Sequence, residues 1–600
     1  MIFVVADLLN DTSYEGIEIS SLNANAAEKA KELSAFHSAV HYVECGLMSL
    51  NNVNMWDEHR NLSVQLYSIG AEAEMCAGNS DKSDWYCQQV IENDTIPIVD
   101  KMRVIKVAVG RLYNEGRYDD LWVALLDTLH QLGCTLPRSR ISQRLHAAIS
   151  VRQLKSNFLS VASAVKDMDM MDDLAKREAM SLMLQAASFC LSSKNKPLYI
   201  LLCCQCIKWT QRYGLTEYTA SAFASFANVL MHTHKDWNTA VQMAEIALSI
   251  ESRIGSNYTK ASTMHKLTSF VLGWVKPIRS CRTTYLEAYK VGMLSGNSEG
   301  VGCVIMFLLI SDFFSGGIKL QSLDEDLRNY IPQLEKLGLH SYVLGLRLLW
   351  QKVTNLMGCA SNPETTELTG AATHGIDIER HPFIYNTLGK HHICNLCAYF
   401  SEYRKGAEVA LEMGDAMFKM WSGASFFGFD PFPRALCLYA TGNETRQVKY
   451  LFAAKKVRSR ISKWVRSGAI NLVHQLFILD AEDAAAKGFY NDARHAYEKA
   501  ITASVRGGFL QDAGIANERY ATYLLTVGLE RDARYYMREA IRYFSEWGAA
   551  RKVQQLRQRH SKLLSGSTLD MSPAFSETIR LSGFSDEKTG SSEMMFSIVN

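Results

Sequence analysis

Apolar positions recur along this chain with the period of an amphipathic α-helix, and glycines interrupt them at short intervals. Two such stripes follow each other between residues 100 and 133, made of Met102, Ile105, Val109 and Leu112 and then of Leu121, Leu125 and Leu129. Gly116 separates the stripes and Gly133 ends the second. Because glycine ends helices and permits tight turns, the pattern predicts a pair of antiparallel helices. A pair this short cannot bury both of its faces, so neighbouring pairs are expected to stack on it.

The same unit recurs nearer the C-terminus. The segments 488–493 and 528–533 both begin with glycine, carry an aspartate at their fifth position and end with alanine. They lie 40 residues apart. The segment 116–121 repeats the glycine and the aspartate, and the segment 235–240 is a weaker copy. Glycine and alanine at turns and on inner helix faces let two helix backbones approach closely. This arrangement is typical of tetratricopeptide-like repeats, with a unit longer than the usual length of about 34 residues.

The sequence therefore predicts an all-α protein, a TPR-like α-solenoid of stacked antiparallel helix pairs, built as one array or as two jointed halves. Five segments are predicted: an N-terminal arm (1–24), repeats (25–360), an irregular joint and crossover with helices (361–433), further repeats (434–563) and a disordered, Ser/Gly-rich tail (564–600). Within the joint, the aromatic segment 423–433 is expected to be packed.

Composition supports a helical chain and excludes several classes. Only 10 of the 600 residues are proline, and 48% are hydrophobic. A formal charge of +2 argues against a general nucleic-acid binder, which needs a dominant basic surface. No uncharged apolar run approaches the roughly 20 residues that a membrane span requires. The 14 cysteines are too sparse for a disulfide scaffold, and several lie in apolar helical stretches, which favours reduced thiols and a cytoplasmic location.

Two motifs suggest chemistry. The segment 296–300 matches G-x-S-x-G around Ser298, but a nucleophile elbow needs a preceding strand, and residues 283–294 predict a helix. Half of a metal site is suggested by His391, His392, Cys394 and Cys397. Structural zinc needs four ligands, usually from two separated pairs, and the triplet Cys203, Cys204 and Cys206 lies in a strongly apolar segment. We therefore expect buried thiols and a hydrogen-bonded histidine, and no metal.

Other catalytic signatures are missing from the sequence. It contains no phosphate-binding loop, no dinucleotide fingerprint, no H-E-x-x-H and no protein-kinase catalytic loop. The expectation is a protein that is not an enzyme, with no catalytic residues and no cofactor.

One charged segment stands apart. Residues 446–466 contain eight Lys or Arg and no Asp or Glu. Lys456, Arg460 and Lys463 share one helical face, with Lys455 beside them, whereas Ile461 lies on the other side. These four cations form a candidate face for an acidic or phosphorylated protein segment. The alternative is an ordinary solvated helix face whose charge neighbouring repeats balance.

The C-terminal repeats carry a more specific likeness. The segments 508–518, 535–540 and 547–553 resemble the closing repeats of large multi-domain AAA-ATPase/GAF hybrid sensor kinases, both histidine and serine/threonine. The segments 5–10 and 38–47 resemble the junction between the ATPase and the first repeats in that family. The resemblance spans residues 3–564 and implies a role in signal transduction. The ATPase and GAF domains are missing from this sequence, so no catalytic residue of the family can be assigned to it.

Three functions follow as hypotheses. The first is a non-catalytic scaffold or regulatory protein of intracellular signalling that binds a protein or peptide. The second is the regulatory middle region of a multi-domain ATPase–kinase whose catalytic domains lie outside this sequence. The third is a repeat subunit of a large multi-protein assembly.

Overall fold

The protein is all-α in a computed structural model that describes residues 2–11, 16–33, 35–50, 55–158, 163–192, 195–295, 298–337, 339–359, 382–415 and 423–565. Over these ranges there is no β-strand, and the one β-bridge joins Met170 to Leu215. No helix in them is both long and apolar enough to cross a bilayer. The predicted fold class, stacked antiparallel helix pairs, is confirmed.

The chain divides into two compact units. The first comprises residues 1–267, 285–304 and 332–340, and the second comprises residues 268–284, 305–331 and 341–600. The predicted ranges that end at residues 24, 360, 433 and 563 divide the chain differently and stay a prediction. Residues 360–381 and 566–600 lie outside the described ranges. Part of the predicted joint and nearly all of the predicted disordered tail therefore lie outside the described residues.

The first unit is a succession of helices joined by short turns. Its helices are Ile2–Asn10, Ile17–Glu32, Phe36–Met48, Arg60–Cys76, Ser80–Ile91, Met102–Asn114, Tyr118–Gln131, Arg140–Ser156, Leu174–Ser192, Lys196–Tyr213, Thr219–Asn228, Trp237–Ile254 and Asn257–Leu267. The segment Val229–Thr233 is π-helical. Small residues bring the helices close: a Cβ on Gly70 would lie 2.8 Å from the ring of Tyr86, so only glycine fits there without a shift.

Four helices contribute residues to both units, namely Cys281–Leu294, Ser298–Ser315, Leu320–Lys336 and His340–Met357. The second unit further contains the helices Pro382–Tyr399, Tyr403–Met413, Pro431–Thr445, Val448–Arg466, Val473–Lys487, Tyr490–Gly507, Leu510–Thr526, Glu530–Trp547, Ala550–Arg559 and Ser561–Leu564. Shorter segments are the π-helical Thr268–Leu272, the helical turn Gly273–Val275 and the 3-10 turns Ile278–Ser280, Ser425–Gly428 and Ile470–Leu472.

The 40-residue repeat near the C-terminus is confirmed. Gly488 and Gly528 occupy equivalent turns with φ of +76° and +81°, a left-handed conformation that side-chain-bearing residues rarely adopt. Fully buried alanines line the inner faces of the flanking helices, at Ala481, Ala493, Ala500, Ala513, Ala533 and Ala540. Tyr497 and Tyr520 stack between them with ring centroids 5.0 Å apart. Small residues thus set the close helix spacing, and tyrosines fill the remaining volume.

The two earlier copies of the turn are also present. Gly116 has a φ of +74° between the helices Met102–Asn114 and Tyr118–Gln131. In the weaker copy, Lys235 takes the same left-handed conformation with a φ of +55°. Asp236 then caps the next helix by accepting a hydrogen bond from the Thr239 amide at 3.3 Å. The turn geometry therefore survives the loss of its glycine.

The aromatic segment 423–433 is packed, as predicted. Its residues are buried and include the 3-10 turn Ser425–Gly428. The indole Nε1 of Trp274 donates a hydrogen bond to the Gly423 carbonyl at 2.8 Å. The side-chain amide of Asn471 donates to the carbonyl oxygens of Gly273 and Lys276, two residues close to Trp274 in the sequence, at 2.9 and 2.8 Å. These hydrogen bonds satisfy backbone groups that irregular segments leave without helical partners.

Candidate protein-binding site

The basic helix Val448–Arg466 presents two distinct faces. Tyr450, Ala454 and Ile461 are buried on its inner face. Trp464 lies at the edge of that face, with its ring centroid 5.3 Å from that of Trp274. Residues on the opposite face point to solvent. This division agrees with the face predicted from the sequence.

Of the four cations predicted for the binding face, Lys455, Lys456 and Lys463 are exposed. Arg460 is half-buried, and its two terminal nitrogens donate to the carboxylate of Asp415 at 2.7 and 2.8 Å. This bidentate bond lowers the pKa of Asp415. The structure therefore groups the three lysines on one surface and commits Arg460 to an internal ion pair. The helix's own neighbours balance only part of its charge.

Arg458 is committed in the same way. Its Nε donates to Asp480 at 2.6 Å. By contrast, Lys455, Lys456 and Lys463 have no carboxylate within salt-bridge distance in the part of the chain that the structure describes. The exposed lysines consequently remain available to a ligand.

Two exposed apolar residues, which were not predicted from the sequence, extend the lysine row. Val448 and Phe452 are 76% and 73% exposed. At 100° per residue, they fall on the same stripe of the helix as the three lysines. We call Val448, Phe452, Lys455, Lys456 and Lys463 the binding stripe. The helical spacing that grouped the lysines was also the signal that could have identified the apolar pair.

The suspected half metal site is a buried, hydrogen-bonded cluster. His391 Nδ1 donates to Asp430 Oδ1 at 2.6 Å, and Arg434 donates to the other oxygen of that carboxylate at 3.1 Å. Burial alone would raise the pKa of Asp430, but these two partners outweigh burial and lower it. Burial lowers the pKa of His391 despite the carboxylate. His392 is also buried, and its Nδ1 has no hydrogen-bond partner in the described ranges.

The cysteines near this cluster are buried in the core. Cys394 donates to the Gly406 carbonyl at 3.6 Å, and burial raises the pKa of Cys437 far above its ordinary value. Cys394 and Cys397 are both fully buried. Among the described residues, no group of three or more His, Cys, Asp or Glu could hold a metal ion. The arrangement is that of thiols serving as small core residues.

Next to this cluster lies a buried lysine. Lys352 Nζ is 4.7 Å from the ring centroid of Phe313 and 5.5 Å from that of Phe314. Burial lowers the pKa of Lys352 to about 7, although the charge of Asp430 opposes the shift. Among the described residues, Lys352 forms no ion pair. Its ammonium group instead makes cation–π contacts with the two aromatic rings.

The remaining sequence motifs lead to core positions as well. Cys203, Cys204 and Cys206 are buried in the helix Lys196–Tyr213, and burial raises the pKa of Cys203 to about 12. Such thiols are poor nucleophiles. In the G-x-S-x-G motif, Gly296 and Asn297 lie outside the described residues. The preceding segment is helical, Cys281–Leu294, where a nucleophile elbow would require a strand.

The C-terminal repeats contain two buried ion pairs among the described residues. Lys552 is fully buried and donates to Glu518 at 2.8 Å and to the Ser401 hydroxyl at 3.0 Å. In a second pair, Arg519 donates to both oxygens of Glu482 at 2.6 and 3.0 Å. These ion pairs connect different helices, so the charged residues that form them serve packing.

The comparisons with known proteins add little. No protein-family model matches the chain, and no curated protein does either. Among solved structures, a circular tandem repeat protein with novel repeat topology and enhanced subunit contact surfaces is similar over 92% of this chain and 96% of its own. The two are 11% identical, with a TM-score of 0.14. The helix pairs confirm the helical-repeat part of the resemblance, and the kinase family stays a prediction.

Proposed function

We propose that this chain is a non-catalytic helical-repeat scaffold of cytoplasmic signal transduction that binds an acidic segment of a protein partner on the binding stripe. One observation carries the proposal: three exposed lysines without carboxylate partners in the described structure continue a pair of exposed apolar side chains on a single helix face. Exposed large apolar groups next to unpaired cations are typical of surfaces that bind amphipathic peptides.

The order of residues along the stripe defines the partner chemistry. Val448 and Phe452 lie nearest the N-terminus of the helix, Lys455 and Lys456 lie near its middle, and Lys463 lies in its last turn. A matching ligand has one or two apolar anchors followed by several acidic or phosphorylated residues. Phe452 supplies aromatic area of the kind enriched at binding hot spots, and the lysines supply charge complementarity and a faster association rate.

The non-catalytic assignment has separate support. The polar groups that resemble catalytic ones, His391 with Asp430 and the nearby Lys352, are buried away from solvent. A catalytic group must reach its substrate, and these side chains contact core residues instead. The signalling context comes from the resemblance to the repeat region of the multi-domain kinases.

Fluorescence anisotropy on the full chain tests the proposal. The probe is a labelled peptide in which a leucine–phenylalanine pair precedes four glutamates, and the control peptide carries glutamine in place of each glutamate. We expect binding of the acidic peptide that weakens as salt rises, and about tenfold or greater loss of affinity in Lys455→Gln/Lys456→Gln/Lys463→Gln and in Phe452→Ser.

The matched control is Arg140→Gln/Arg144→Gln, which removes exposed cations from a different helix and is expected to leave peptide affinity unchanged. Equal affinity for the two peptides, or equal affinity of the wild-type protein and the lysine variant, would contradict the proposed stripe. ATPase or phosphotransfer activity in the purified chain would contradict the non-catalytic assignment.

A further inference from the structure

A second amphipathic surface lies in the first unit, on the helix Arg140–Ser156. Three large aliphatic residues on it face solvent: Ile141 is 81% exposed, Leu145 60% and Ile149 47%. Their spacing of four residues places them along one ridge. The opposite face is buried through Gln143, Ala147, Ser150, Val151 and Leu154. The helix is therefore held by its inner face, and the aliphatic ridge stays directed outward.

Exposed arginines lie on the same helix as this ridge. Arg140, Arg144 and Arg152 are exposed, and in the described parts of the chain none has a carboxylate within salt-bridge distance. The neighbouring cations are paired: Arg138 with Asp127, and Lys155 with Asp236 at 2.6 Å. The wider segment 128–166 contains six Lys or Arg and no Asp or Glu. This surface is positive, and nothing acidic in its own sequence neutralises it.

We propose that the helix Arg140–Ser156 docks on an anionic lipid bilayer, with its aliphatic ridge at the boundary between headgroups and acyl chains. A helix with an apolar ridge and a cationic flank lies in the plane of the membrane–water interface. It binds through burial of its apolar side chains and through electrostatic attraction to anionic lipids. Guanidinium groups suit this role because they bind phosphate oxygens in bidentate geometry. At 100° per residue, Arg152 lies on the ridge and Arg144 lies beside it, whereas Arg140 lies nearer the buried face and adds positive charge at the N-terminal end of the helix.

The side chains favour lipid over a protein groove. The ridge is purely aliphatic, whereas the apolar part of binding hot spots between proteins is enriched in the aromatic residues tryptophan and tyrosine. Its flank carries one sign of charge, which matches a continuous anionic surface better than the mixed polar rim of a typical protein interface. Arg152 lies close to the ridge line itself, where a headgroup phosphate would meet it.

Vesicle co-sedimentation of the full chain tests this proposal. The probes are vesicles of phosphatidylcholine alone and vesicles with about 30% phosphatidylserine. We expect at least about tenfold stronger binding to the anionic vesicles, decreasing as salt rises. Ile141→Ser/Leu145→Ser/Ile149→Ser is expected to weaken that binding about tenfold or more. Arg140→Gln/Arg144→Gln/Arg152→Gln is expected to abolish the preference for phosphatidylserine.

The control is Lys455→Gln/Lys456→Gln/Lys463→Gln, which reduces basic charge by the same amount on the binding stripe and is expected to leave vesicle binding unchanged. Circular dichroism verifies that each variant remains folded. Equal sedimentation with both vesicle types, or loss of binding in the control variant alone, would overturn the proposal. So would the absence of vesicle binding together with Ile141-dependent crosslinking to an acidic protein, which would assign the ridge to a protein partner.

Discussion

The C-terminal repeats and the binding stripe are both rich in charge, yet they place it in opposite environments. Lys552 and Arg519 are buried and bonded to Glu518 and Glu482. The stripe lysines, represented by Lys456, are exposed and lack a carboxylate partner in the described structure. A buried charge requires a partner because desolvation is costly, whereas an exposed lysine costs folding almost nothing. Burial and pairing therefore separate structural charges from charges that a ligand can use.

The largest expected effect is on the buried pair. Glu518→Gln leaves the Lys552 ammonium without its carboxylate, and we expect the free energy of unfolding to fall by about 3–5 kcal/mol. Urea unfolding followed by circular dichroism measures it. The control is Glu539→Gln, which removes the half-buried partner of the exposed Arg542 at 2.8 Å and is expected to cost less than about 1 kcal/mol. Similar losses in the two variants would erase the contrast between buried and exposed charge.

Lys352 is the intermediate case, a buried cation with aromatic neighbours. Burial lowers its pKa in the folded protein to about 7, well below the value in an unfolded chain. Above pH 7 the unfolded chain therefore binds more protons at this site than the folded protein does, and stability rises with pH. This single group is expected to add about 2 kcal/mol of stability between pH 7 and pH 9.

Urea unfolding of wild type and of Lys352→Met at pH 7, 8 and 9 measures this contribution. We expect the variant to lack the rise, so that the difference between the two proteins changes with pH. Lys455→Met, which alters an exposed lysine, is expected to follow the wild-type curve. Parallel curves for wild type and Lys352→Met would mean that Lys352 titrates at its ordinary pKa.

The smallest stability effects are expected on the basic helix. Lys455→Gln/Lys456→Gln/Lys463→Gln is expected to change the free energy of unfolding by less than about 0.5 kcal/mol. Arg460→Gln breaks the partly exposed pair with Asp415 and is expected to cost up to about 1 kcal/mol. Thermal unfolding of both variants measures the difference. A larger loss of unfolding free energy in the lysine variant than in Arg460→Gln would mean that the lysines stabilise the fold.

Much of the local architecture could be predicted because it depends on neighbouring residues. Gly488 and Gly528 marked turns, and the helical period separated Ile461 from the lysines. The same reasoning gave no sign of the ion pair of Arg460, because its partner Asp415 lies 45 residues earlier in the chain. It also left His391 without a named partner, since Asp430 lies 39 residues away. No spacing rule connects such pairs.

The sequence by itself determined the helix pairs, their turns and the one-sided charge of residues 446–466, because each depends on hydrogen bonds and side chains within a few residues of one another. Only the tertiary structure decided which charges are available: it paired Arg460 and Lys552 with distant carboxylates and left Lys456 and Phe452 in solvent. The reason is physical, since desolvation and ion pairing depend on which distant segments pack together, and helical periodicity carries no record of that.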